Sequence, residues 1–135
     1  MREPDPDRPE ARISEAEWTV MEVLWARGPQ LAQDVVRVLQ EDRPWEDQTI
    51  RTLLRRLVKK GAVDTTREGK AFRYRAAVER DDCVRDAGRS LLRRLARGSA
   101  SPLLATFVEE AELTRDEIAD LRRLLDEKSK DEDAS

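Results

Sequence analysis

At 135 residues, with 41% charged and 39% hydrophobic side chains, the chain can hold one modest core and an appendage rather than two full domains. It has no histidine and a single cysteine, Cys83, which removes the usual general base, Ser-His and Cys-His pairs, most zinc sites and any intrachain disulfide. The formal charge of −3 speaks against a nucleic-acid partner if taken alone, but a total says little about a local field.

Residues 1–12 carry three prolines and alternating charges with nothing to bury, the composition of a disordered tail. The segment MREPDPDRPE is neither a signal nor a transit peptide, and no apolar run approaches the roughly 20 residues needed to cross a bilayer. A cytoplasmic protein without membrane insertion is expected. Ser14 with Glu17 makes a capping box, and Ile13 with Trp18 a hydrophobic staple, so a helix starts here. It carries Trp18, Met21, Leu24 and Trp25 inward and is ended by Gly28-Pro29. Two tryptophans can also form a stacking surface, but their helical spacing favours the core. The next segment, LAQDVVRVLQED, aligns Leu31, Ala32, Val35, Val36 and Leu39 as a second helix of about nine residues, and its start lacks a good capping residue. Pro44 and Trp45 lie in the loop that follows, where Trp45 is expected to pack over the turn rather than touch a phosphate.

The stretch from Asp47 to Gly61, DQTIRTLLRRLVKKG, organises the rest. Ile50, Leu53, Leu54, Leu57 and Val58 fall on one side of a helix. The opposite side carries Gln48, Thr52, Arg55, Arg56 and Lys59, flanked by Thr49 and Arg51, with no acid between Gln48 and Gly61. Residues 51–80 hold ten Lys or Arg against three Asp or Glu, a net of +7, while residues 109–135 hold five against eleven, a net of −6. A basic helix after a short helical partner is the helix-turn-helix layout. Such a helix fits the major groove, where Arg binds guanine, Gln pairs with adenine and a threonine methyl meets thymine. Gln48, Thr49, Arg51 and Thr52 lie at the end that usually reaches base edges; Arg55, Arg56, Lys59 and Lys60 are placed for phosphates.

After Gly61, Val63, Thr65, Phe72 and Tyr74 alternate with polar residues about a Glu68-Gly69 turn, which predicts a two-stranded hairpin. Arg67, Lys70, Arg73 and Arg75 give this wing its charge, and Phe72 and Tyr74 are expected on its core-facing side rather than as a stacking platform. From about Asp81 three short amphipathic helices are predicted. Val84, Ala87, Leu91 and Leu95 mark the first; Ser101-Pro102 opens the second, with Leu103, Leu104, Phe107 and Val108; Thr114 and Glu117 cap the third, with Ile118, Leu121, Leu124 and Leu125. There are too few residues here for an independent core, so burial against a second copy is the economical solution, with packing back on the same chain as the alternative. The end, from residue 128, is predicted to be a polar disordered tail.

The order ISEAEWTVMEVLW, AQDVVRVL, TIRTLLRRLVKKG and the EGK-containing hairpin ending FRYRA, spanning Ile13 to about Leu125, resembles the penicillinase-repressor and methicillin-resistance-regulator family of bacterial transcription repressors. The resemblance implies a homodimer of winged helices with intertwined C-terminal helices that binds dyad-symmetric operators, often of β-lactam resistance genes. It places Thr49, Arg51, Thr52 and Arg55 in the reading helix. Where the family has Trp-Ser-Pro before that helix, this chain has Trp45-Glu46-Asp47. Its β-lactam-responsive members are inactivated by a membrane sensor-protease system at an Asn-Phe bond; the matching residues here are Thr106-Phe107. Copper-responsive relatives carry a C-terminal cysteine cluster that Cys83 alone does not supply.

The expected fold is therefore mainly α with a small β-hairpin: a winged helix-turn-helix domain over residues 13–78 and a helical dimerisation region over 79–127. Its dimer interface is expected to include Val84, Leu91, Leu95, Leu103, Leu104, Phe107, Ile118, Leu121 and Leu125. The expected function is a dimeric DNA-binding repressor with no cofactor and no metal. The alternative is a winged helix used as a protein-interaction module, which predicts little affinity for DNA at any salt concentration; an enzyme is disfavoured by the missing histidine.

Overall fold

The computed structural model describes residues 12–134; the tail expected over residues 1–12 lies outside them but for Arg12. Helix α1 (Glu15–Arg27) starts on the capping box read from the sequence. The Ser14 N–H donates to the Glu17 carboxylate at 3.0 Å, and the Glu17 N–H donates to the Ser14 hydroxyl at 3.1 Å. The helix stops at Gly28, whose φ of 78° suits a residue without a Cβ. Its core-facing residues are Val20, Met21, Val23 and Leu24. The tryptophans expected inward do not join them fully. Trp25 is half-buried at the edge of the core, and Trp18 is half-buried against Trp25, with ring centroids 5.3 Å apart at 72°. The physical reason is angular: residues 17, 20, 21 and 24 form one stripe, and residues 18, 22 and 25 form the stripe beside it.

Strand β1 (Gln30–Leu31) was not expected. It pairs antiparallel with Tyr74 and Arg73, and a two-residue bridge is too short to carry an alternation pattern. Helix α2 (Ala32–Gln40) buries Val35, Val36 and Leu39, and its N-cap Leu31 makes no side-chain capping bond. Helix α3 (Asp47–Lys59) buries Ile50, Leu53, Leu54 and Leu57, and Glu46 before it supplies no side-chain cap. Trp45 packs against the core, its carbonyl accepts from Gln40 Nε2 at 3.1 Å, and the Arg43 guanidinium lies over its ring. At the end of α3, Gly61 takes a φ of 82°, and the Ala62 N–H donates back to the Leu57 carbonyl at 3.0 Å.

Strands β2 (Val63–Glu68) and β3 (Ala71–Ala76) form the hairpin, paired from Val63–Ala76 to Glu68–Ala71. With β1 they make a three-stranded sheet in the order β1-β3-β2, rather than the two-stranded hairpin read from the sequence. Ala62 and Val63 close the core formed by α1, α2 and α3.

Helix α4 (Arg80–Leu95) follows, and the chain divides inside it into two compact units, the first ending at Ser90 and the second starting at Leu91. In the second unit, α5 (Ser101–Glu110) begins with Pro102 in its first turn and α6 (Arg115–Ala134) with a Thr114–Glu117 capping box, at 3.0 and 3.1 Å. Residues 128–134, expected to be a disordered tail, continue α6; the stretch has no glycine or proline to stop a helix. No residue from 91 to 132 is buried, and Leu95, Leu104, Phe107, Val108, Ile118, Leu121, Leu124 and Leu125 are all exposed. Among the described residues no helix is long and apolar enough to cross a membrane.

Candidate nucleic-acid interface

Helix α3 presents two opposite faces. Its four buried residues fix it against α1 and α2, so its outer face is held by the core and not by the outer residues themselves. On that outer face Gln48, Thr49, Arg51, Arg55, Arg56 and Lys59 are exposed and Thr52 is half-exposed. Arg51 Nε donates to Asp47 Oδ1 one turn earlier, and an Arg55 N–H donates to Thr52 Oγ1 at 3.1 Å. Both bonds hold a guanidinium along the helix axis before any ligand arrives.

Lys60 departs from the phosphate-facing role read from the sequence. Its ammonium donates to Glu17 Oε1 at 2.6 Å and to the Arg12 carbonyl, and the two side chains are only 16% and 3% exposed. Lys60 sits where α3 ends, so its direction follows the last turn and not the α3 wheel. Burial alone raises the Glu17 carboxyl, but the Lys60 ammonium and the Ser14 contacts outweigh it and hold the group below its ordinary value.

The wing adds a second group of cations. Lys70 stands at its tip, and Arg67 Nε donates to the Gly69 carbonyl at 3.0 Å. Arg73 pairs with Glu68 at 2.7 Å and donates to the Pro29 carbonyl at 3.3 Å, tying β3 to the loop before β1. Arg75 pairs with Asp64 at 3.5 Å. Between α3 and the wing lies a cleft of about 320 Å³ lined by Leu31, Ala32, Gln33, Arg51, Lys70, Ala71, Phe72 and Tyr74. Tyr74 packs on the core as expected, but Phe72 is 48% exposed and also borders a smaller cleft beside Arg55 and Val58. The hairpin carries Phe72 past the end of the core it was expected to face.

The residues expected at a dimer interface lie along α4, α5 and α6. Leu91 and Leu103 are half-buried; Val84, Leu95, Leu104, Phe107, Ile118, Leu121 and Leu125 are exposed. Thr106 and Phe107 are both exposed within α5, and the Thr106 hydroxyl donates to the Pro102 carbonyl at 2.8 Å.

Residues 13–127 match the family model described as "Penicillinase repressor". The chain is 36% identical to the methicillin resistance regulatory protein MecI of Mammaliicoccus sciuri over 116 residues, 86% of this chain and 94% of that protein. It is 33% identical to the penicillinase repressor of Bacillus licheniformis, over 86% of this chain and 91% of that protein. Among solved structures, the solution structure of the DNA-binding domain of the repressor BlaI is similar at 35% identity and a TM-score of 0.50, covering 56% of this chain and 92% of that one.

Proposed function

We propose that this chain, which belongs to the penicillinase repressor family, is a sequence-specific transcriptional repressor that acts as a homodimer on a dyad-symmetric operator. The observation that carries the reading is the outer face of α3. From Gln48 to Lys59 it offers donors and cations without one acid, on a helix whose other face is locked into the core. Thirteen residues make a rod of about 20 Å, long enough to lie in a major groove roughly 12 Å wide. Gln48, Thr49, Arg51 and Thr52 then face base edges, and Arg55, Arg56 and Lys59 face the phosphate backbone. The wing adds Arg67, Lys70 and Arg73 on one strand's backbone. The cleft between Arg51 and Lys70 takes a phosphate and its sugar, with Phe72 against the sugar. Leu31, Ala32 and Gln33, at the start of α2 where no side chain caps the helix, line the same cleft.

Dimerisation supplies the second half-site. The unit from Leu91 onward buries none of its described residues 91–132 yet carries apolar side chains on all its helices, a pattern relieved when a second copy covers them. Release of repression by a membrane sensor-protease system, through scission of the Thr106–Phe107 bond, is the finer proposal. Exposure of both residues supports access, and the bond must leave the helix before a protease can grip it. Mass spectrometry of the protein recovered from β-lactam-treated cells tests this; only intact chain under inducing conditions excludes it.

The repressor reading is tested by selecting duplexes from random DNA and titrating affinity against salt. Enrichment of a palindrome with a steep salt slope is expected. Equal, weak binding of all duplexes would favour the protein-interaction alternative.

A further inference from the structure

Only residues 77–79 separate the wing from α4, and this connection is tied down along its length. The Ala77 N–H donates to the Ala62 carbonyl at 2.9 Å, Trp25 Nε1 donates to the Val78 carbonyl at 2.9 Å, and Arg80 Nε donates to Glu22 Oε1 at 3.1 Å. The same Glu22 oxygen accepts from Trp18 Nε1 at 2.9 Å. Residues 77–79 include no glycine or proline, so a connection held at 77, 78 and 80 does not swing freely. Helix α1 provides the tryptophan and glutamate of this clamp from one stripe. From the neighbouring stripe it provides the core residues packed with α3 and the Glu17 that holds Lys60. One helix therefore fixes both the recognition helix and the direction in which α4 sets out.

We propose that Glu22, Trp25 and Arg80 are positioning residues that set the separation of operator half-sites accepted by the dimer. This rests on the repressor reading above. In a two-fold dimer joined through elements after α4 begins, the angle between α3 and α4 determines how far apart two recognition helices stand. Half-sites in register lie about one helical turn, or a multiple, apart, and each base pair inserted between them turns one half-site by about 35°. A loosened clamp lets the recognition helices adapt to a wrong spacing and removes the advantage of the right one.

The test uses the full chain carrying Trp25→Phe, which removes the indole N–H, Arg80→Gln, which removes the charge from an exposed side chain, and both together. The duplexes are the site that the wild type selects from random DNA, its isolated half-site, and versions with one or two base pairs added or removed at the dyad. Unchanged affinity for the half-site is expected. The preference for native spacing is expected to fall about two- to tenfold with each substitution, the fold-change that corresponds to one net hydrogen bond. Arg80→Lys, which keeps the charge, is expected to restore much of the preference. A wild-type spacing profile in the double variant overturns the proposal, and so does an equal loss on the half-site and on every spacing. A wild type that binds no duplex overturns the repressor reading on which the proposal stands; one that binds without any spacing preference overturns the proposal alone.

Discussion

Lys59 and Lys60 are adjacent and chemically identical, and they separate cleanly on substitution by methionine. Lys60→Met leaves the Glu17 carboxylate buried without its counter-charge, while Lys59→Met removes an exposed cation with no acid in ion-pair range among the described residues. Because Lys60 and Glu17 are 16% and 3% exposed, solvent screens the pair little. Breaking a buried pair on one side costs about 3–5 kcal/mol. In a domain of this size that lowers Tm by at least about 12 °C, at roughly 4–8 °C per kcal/mol. Lys59→Met leaves Tm unchanged and lowers affinity for all duplexes, with the salt slope reduced by about 0.9.

Acid discriminates further. The Glu17 pKa is lowered in the folded wild type, so its contribution is present above the ordinary value of 4.5 and is lost as the pH falls through the depressed one. Without Lys60, burial is opposed only by the Ser14 contacts, so the carboxyl takes up its proton at higher pH. The stability gap between Lys60→Met and wild type therefore narrows as the pH is lowered from 7 toward 4. Thermal melts at several pH values and DNA titrations of both variants are the assay. A Lys60→Met protein with wild-type Tm and the same DNA defect as Lys59→Met would refute the assignment.

Arg51→Ala or Thr52→Ala is expected to relax base preference, at about 1–3 kcal/mol for a good bidentate contact, whereas Lys70→Ala weakens selected and random duplexes alike; competition titrations that show equal losses for all three would defeat this division. Phe107→Asp with Leu121→Asp, both at exposed apolar positions, is expected to shift the chain from two copies to one in sedimentation equilibrium and to spare half-site binding. A stable dimer in the double variant would move the interface elsewhere.

The parts of the fold legible in the sequence are those set by neighbours in the chain. Both capping boxes form as read, Ser14 with Glu17 and Thr114 with Glu117, because a cap needs only residues three apart. The apolar stripe of α3 is likewise a property of one helix. What escaped was decided by distant partners. Lys60 meets Glu17 across 43 positions, and β1 exists only because Tyr74 and Arg73 lie beside it. The same holds for the clamp on α4, where Trp25 reaches Val78 across 53 positions. No wheel or alternation pattern contains such a pairing. The residues on the outer face of α3 were legible for the opposite reason: their hydrogen bonds, Arg51 to Asp47 and Arg55 to Thr52, stay within the helix, so the helical period alone places them.

The charge count is where sequence and structure lead to different expectations about DNA. Ten cations between residues 51 and 80 suggest a field of ten. Five of them, Arg51, Lys60, Arg73, Arg75 and Arg80, pair with Asp47, Glu17, Glu68, Asp64 and Glu22. Each exposed pair is weak, worth about 0–1 kcal/mol, so a guanidinium can exchange its carboxylate for a base or phosphate. The carboxylate stays beside it, however, and cancels the gain in counterion release. Arg55, Arg56, Lys59, Arg67 and Lys70 have no acid in ion-pair range among the described residues. At about 0.9 per neutralised phosphate, five cations give a slope of log affinity against log salt of about −4 to −5 for one copy on a half-site, where ten would give about −9. A measured slope near −9 would mean that the ion pairs open on DNA and their carboxylates move away, and the wing would then grip far more strongly than its folded geometry allows.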